Sequence, residues 1–205
     1  MDKGYSFNSH SISVAASVRN KVEKLSTVVK YLNMTNRKRI TESIVISTLS
    51  YCLALWGFKK KWRRKCQKAM NTAIRMILET DNRYSITDGL ALLEWPNMDN
   101  LWRLEQINVM RRITQTQIPT SVYSIITGRT QGRYLIRADG IRSTWRPHNT
   151  HCEHAFIHKA VEVYNDLRVT QRLWFNDKEN RAMSKSEVRS VLKLDLIAHF
   201  GNANI

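Results

Sequence analysis

Between Ile44 and Leu78 the pattern of apolar and polar positions changes twice, and the rest of the chain is read around that stretch. An apolar run (IVISTLSYCLALWG) ends at Gly57, a cationic cluster (KKKWRRK) follows, and CQKAMNTAIRMIL is amphipathic. Trp62, Cys66, Ala69, Ala73 and Ile77 recur at spacings of four, three, four and four, which is one face of a helix. Lys60, Arg64, Lys68 and Arg75 share a different face. The pattern therefore predicts a helix over about Lys59 to Glu79 that buries one side and carries a cationic ridge on another. Such a ridge binds polyanions.

The same periodicity predicts helices on either side. Ser11 or Ser13 caps a first one in which Val14, Val18, Val22, Leu25, Val28 or Val29, and Leu32 repeat at helical spacing. After a break at Asn33-Met34, Thr35 is a candidate cap for a second helix through Ile40, Ile44 and Leu49 to Trp56, ending at Gly57. Its first turn, with Arg37, Lys38 and Arg39, has the wrong sign for a helix N-terminus. That cluster reads either as a phosphate contact or as a solvated charged turn. Ser85 caps a short helix ending before Pro96, and Asn97 caps a long one ending before Ile118-Pro119. A short helix is expected around Val122 to Ile126.

From Thr127 to Pro147 the pattern dissolves into a segment with five arginines and Gly128, Gly132 and Gly140, read as a basic linker with one or two short strands. Helical spacing returns with Phe156, Ala160, Val163 and Leu167, and again from Ser184 to Phe200. The expected fold class is mainly α, with a helical bundle over 1–126 and a smaller α-rich domain over 127–205.

Composition changes the picture in one direction. The 205 residues carry 33 Lys+Arg against 17 Asp+Glu, a formal charge of +16. The part up to residue 126 holds 20 basic and 9 acidic residues, the remainder 13 and 8, so both are basic and the first more so. Nucleic acid is the first partner such a charge suggests, and an anionic membrane surface the second. The longest apolar run is interrupted by Ser47, Thr48 and Ser50 and is too short to span a bilayer, so no membrane partner is expected. Three cysteines, with Cys52 and Cys66 placed on apolar helix faces, read as reduced thiols of an intracellular protein. The polar first ten residues carry no signal-peptide pattern.

Candidate chemistry is sparse. His148, His151, Cys152, His154 and His158 fall within eleven residues, and a zinc site drawn from the last four is the metal candidate to weigh against surface imidazoles. No CxxC accompanies them, and no metal or cofactor is expected. No adjacent aspartates, GxxxxGK[ST], GxSxG or HExxH occur, which leaves polymerase, nuclease and hydrolase chemistry without a motif. Aromatic side chains interleave with cations at Trp62, at Tyr134 between Arg133 and Arg137, and at Trp145 beside Arg146. Arginine beside an aromatic face is a way to hold single strands. Trp62 also begins the apolar stripe, which favours a core position for it.

The order of segments resembles the region beyond the palm of non-LTR (LINE-type) retrotransposon reverse transcriptases. KLSTVVKYLNMTNRKRITESIVISTLSYCLALWG is similar to the family's helix pair and following apolar run, with Tyr51 and Trp56 at matching places. CQKAMNTAIRMIL resembles the next helix, with Gln67 and Arg75 in register, and SITDGLALLEWPNMDNLWRLEQINVMRRI the short helix, proline turn and long helix after it. HAFIHKAVEVYNDL and Ser186 to Phe200 are similar to the two helices of the family tail, although the family's Leu-Pro after the Asn is here Asp166-Leu167-Arg168. The likeness runs through nearly the whole chain and lies in the order of segments more than in any one motif.

What the resemblance implies is a thumb and post-thumb without fingers, palm, endonuclease or RNase H. A fragment, a decayed element or a domesticated remnant would have this content. It implies a non-catalytic grip on RNA or an RNA–DNA hybrid, and the basic clusters read from the residues supply its expected contacts: Arg37, Lys38, Arg39, Lys60, Arg64, Lys68 and Arg75, with Arg133, Tyr134 and Arg137 contributing from the linker. Two other readings stand beside it. One is a protein–protein or self-association module using apolar surface that a missing palm would have covered. The other is a thumb subunit completing a polymerase in trans.

Overall fold

The computed structural model describes residues 7–120 together with Lys159, Ala160 and Val163. The fold is mainly α, as the periodicity predicts, and no strand occurs among the described residues. The expected strands near Tyr134, the helices around Val122 and from Ser184, and the boundary at 126/127 lie outside them. In the expected helix with Phe156, Ala160, Val163 and Leu167, the described Lys159, Ala160 and Val163 are helical, with Ala160 and Val163 buried. Compactness divides the chain into two units, the first including residues up to Trp102 and the second starting at Arg103.

In the first unit, α1 (Asn8–Val29) packs most extensively on α5 (Lys60–Leu78), the predicted amphipathic helix. Ala15, Val18, Val22 and Val29 of α1 are buried, as are Trp62, Cys66, Ala69, Ala73 and Ile77 of α5. Two alanines in that stripe keep it narrow, so a neighbouring helix can approach closely. Cys66 sits in this interior, where burial pushes its thiol up to about 12. It therefore packs as a small apolar side chain. The start of α1 departs from expectation. Phe7 stands at its N-cap in a left-handed conformation, and Ser11 is a buried interior residue whose hydroxyl donates to the Asn8 carbonyl.

The predicted second helix is four pieces. After α2 (Met34–Thr41) comes a π-helical turn (Glu42–Ile46) and then α3 (Ser47–Ser50). The cap is Asn33, whose side chain accepts from the Asn36 N–H, and not Thr35. Around the π turn the hydroxyls of Ser43, Ser47 and Thr48 donate back to carbonyls three or four residues earlier, an arrangement that loosens a regular helix. The chain then breaks. Tyr51 turns extended and Cys52 adopts a left-handed conformation before α4 (Leu53–Trp56). The buried Trp56 holds the break by donating its indole N–H to the Tyr51 carbonyl. Cys52 is therefore exposed rather than on an apolar helix face.

The later boundaries fall where the capping residues put them. α6 (Ile86–Leu93) begins at Ser85, whose hydroxyl accepts from the Asp88 N–H, and α7 (Met98–Thr116) begins at Asn97, which accepts from Asn100. Past Trp102, in the second unit, α7 buries Leu104, Ile107, Met110 and Ile113 at spacings of three. No described helix is long and apolar enough to cross a membrane.

Candidate nucleic-acid interface

Basic residues of the first unit fall into two sets with different surroundings. The first is the Arg37–Lys38–Arg39 cluster of α2. Arg37 donates to the Leu32 carbonyl at 2.7 Å and the Lys30 carbonyl at 3.2 Å, just beyond the end of α1. It also pairs with Glu79 at 2.6 Å. Lys38 pairs with Glu94 at 3.3 Å. Glu79 and Glu94 are the C-caps of α5 and α6, both in the left-handed conformation that glycine usually occupies there. The cluster that looked misplaced at a helix start therefore neutralises carbonyls and carboxylates at the ends of three other helices. Only Arg39 of the three is exposed and carries no ion pair among the described residues.

The second set is on α5. Lys60, Arg64 and Lys68 are exposed, and their side chains make no ion pair or hydrogen bond among the described residues. At four-residue intervals they climb the helix in steps of roughly 6 Å. All three line one groove of about 570 Å³. Arg75, on the same face by periodicity, does not line it. It is half-buried, and its Nε lies in the interior with no hydrogen-bond partner among the described residues.

The far wall of the groove is the start of α7, with Asn97, Met98 and Asp99. Two α5 residues fix that wall in place. Gln67 accepts from the Met98 N–H at 2.7 Å and donates to Asn71 at 2.8 Å. Arg63, only 8% exposed, donates to Asp99 and to the Gly57 carbonyl, and its guanidinium lies 4.6 Å from the Trp102 ring centre. Adjacent arginines thus do different work: Arg63 joins α5 to α7, and Arg64 faces the open groove.

Trp62 is fully buried, 0% exposed, with Phe7 and Phe58 edge-on to its ring and the Lys59 ammonium 5.3 Å from its centre. That places it in the core, as its position in the stripe suggests. Sequence reasoning missed Arg63, Asn71 and Asp99, and the wall-fixing role of Gln67. Their only signal was polar residues at i, i+4 and i+8 along the border of the apolar stripe (Arg63, Gln67, Asn71), a place where polar side chains meet a neighbouring element. Arg133, Tyr134 and Arg137, and the metal candidates His151, Cys152, His154 and His158, lie outside the described residues.

Comparison of the chain with protein-family models, with curated proteins and with solved structures finds no match.

Proposed function

We propose that the protein is a non-catalytic nucleic-acid-binding module whose α5 cations grip phosphates. The observation that carries this reading is the contrast around Lys60, Arg64 and Lys68. Arg37, Lys38 and Arg63 are matched by carboxylates or helix ends, whereas these three have no described partner and share one groove. The position of Lys60 works against helix stability, because the first turn of α5 holds no acidic residue and a helix N-terminus disfavours positive charge. An anionic ligand would offset that cost. The segment order shared with LINE-type reverse transcriptases supports the same reading and favours RNA or an RNA–DNA hybrid over duplex DNA. Phosphate contacts position a ligand and carry little sequence information, so weak sequence preference is expected.

The test is fluorescence-anisotropy titration of the nuclease-treated protein with single-stranded RNA, duplex DNA and an RNA–DNA hybrid over a salt series. Affinity should fall steeply and linearly on a log–log plot against salt. Absence of binding at low salt would overturn the proposal. A protein–protein module is the second reading. It is favoured by Tyr31 and Tyr51, which are 80% and 70% exposed and stand near Val28 and Leu55, also exposed. Assembly through these side chains would persist at high salt in light scattering, where polyanion binding fades.

A further inference from the structure

The groove beside α5 is asymmetric in charge. Lys60, Arg64 and Lys68 stand along one side, while on the other Asp99 gives one carboxylate oxygen to Arg63 and keeps the second. A double helix brings phosphates to both sides of any groove it fills, and one backbone would then meet Asp99. A single strand brings phosphates to one side only. Its charges would follow the α5 cations, whose steps of roughly 6 Å are of the order of the distance between successive phosphates of one strand. Its bases would point toward α7.

The cavity suits what would then enter it. A volume of about 570 Å³ is within the roughly 300–1,000 Å³ typical of sites for one small ligand. Its lining is chiefly apolar, as the carbon stems of long cationic side chains provide. The unpartnered, planar guanidinium of Arg64 can stack on a base, and the amides of Asn71 and Asn97 stand by with hydrogen-bonding groups.

We infer that this groove is a slot for an unpaired base of a single-stranded nucleic acid, with the flanking phosphates held by Lys60, Arg64 and Lys68. The inference rests on the nucleic-acid reading above and narrows it to strands whose bases are free to leave a stack. A duplex could fill the slot only by extruding a base.

The experiment compares a labelled single-stranded 12-mer with an abasic phosphodiester strand of equal length and charge, using the unaltered full chain at one salt concentration. The base-bearing strand should bind about tenfold more tightly, the order expected for losing one well-packed base. Asn71→Phe, which fills the slot, should erase that difference. Equal affinity of the unaltered protein for the two strands would overturn the slot and leave phosphate gripping intact. A preference that persists in Asn71→Phe would place the bases elsewhere and overturn it too. Failure of both strands to bind at low salt would remove the nucleic-acid reading and this inference together.

Discussion

The two cationic clusters of the first unit look alike in the sequence and behave as opposites in the fold. Arg37-Lys38-Arg39 reads as a misplaced basic turn, yet Arg37 and Lys38 close the ends of α1, α5 and α6. Lys60, Arg64 and Lys68 read as the solvent face of an amphipathic helix and are left without partners among the described residues at the rim of a groove. The difference lies in what surrounds them. α2 runs past three helix C-termini, where backbone carbonyls and two cap glutamates collect negative charge. The start of α5 meets the start of α1 and the start of α7, and the carboxylate α7 brings to it, Asp99, is matched by Arg63. Counting cations would rank the two clusters equally. Counting the acceptors around each one separates structure from candidate function.

That contrast can be broken by substitution. The largest expected effect is on binding: K60E, R64E and K68E together should flatten the salt slope by roughly two to three units and cut affinity by a hundredfold or more. Helical circular dichroism should be unchanged, since none of the three side chains is buried. An unchanged slope would remove α5 from the interface. Next in size, Arg63→Ala should destabilise the fold by about 2–4 kcal/mol in urea denaturation, because it strips a buried guanidinium from Asp99, Gly57 and Trp102.

Smaller still, Arg37→Ala should cost about 1–2 kcal/mol of stability through the lost carbonyl and Glu79 contacts, with the affinity for nucleic acid nearly unchanged. A loss of affinity matching that of the α5 variant would move Arg37 into the interface and dissolve the comparison. Lys38→Ala should fall within about 0.5 kcal/mol, since its Glu94 partner is largely exposed.

Much of the fold was legible because helix signals are local. Ser85 and Asn97 announce caps, and the stripe from Trp62 to Ile77 announces the buried face of α5. What escaped was set by tertiary partners. The π turn and the break at Tyr51-Cys52 lie inside an apolar run whose periodicity permits one continuous helix. Only the hydroxyl bonds of Ser43, Ser47 and Thr48 and the indole of Trp56 show why it is divided. Of the candidate site, the three α5 cations were legible as one face. The opposite wall, supplied by Asn97, Met98 and Asp99 about thirty residues later, was not. The role of Arg37 was hidden for the same reason, because Glu79 and Glu94 reach it only after the chain has turned twice.

Gly57 follows α4 without a left-handed backbone, so its small size and not its flexibility is what the fold uses. A Cβ there would stand 2.6 Å from both the Leu53 carbonyl oxygen and the Trp102 ring. Its own carbonyl receives Arg63. For a cell carrying a Gly57→Ala allele, the consequence would be scarcity rather than altered recognition. The altered chains would unfold more often and be cleared by proteases, lowering abundance several-fold. Molecules that escaped would still present the same three cations.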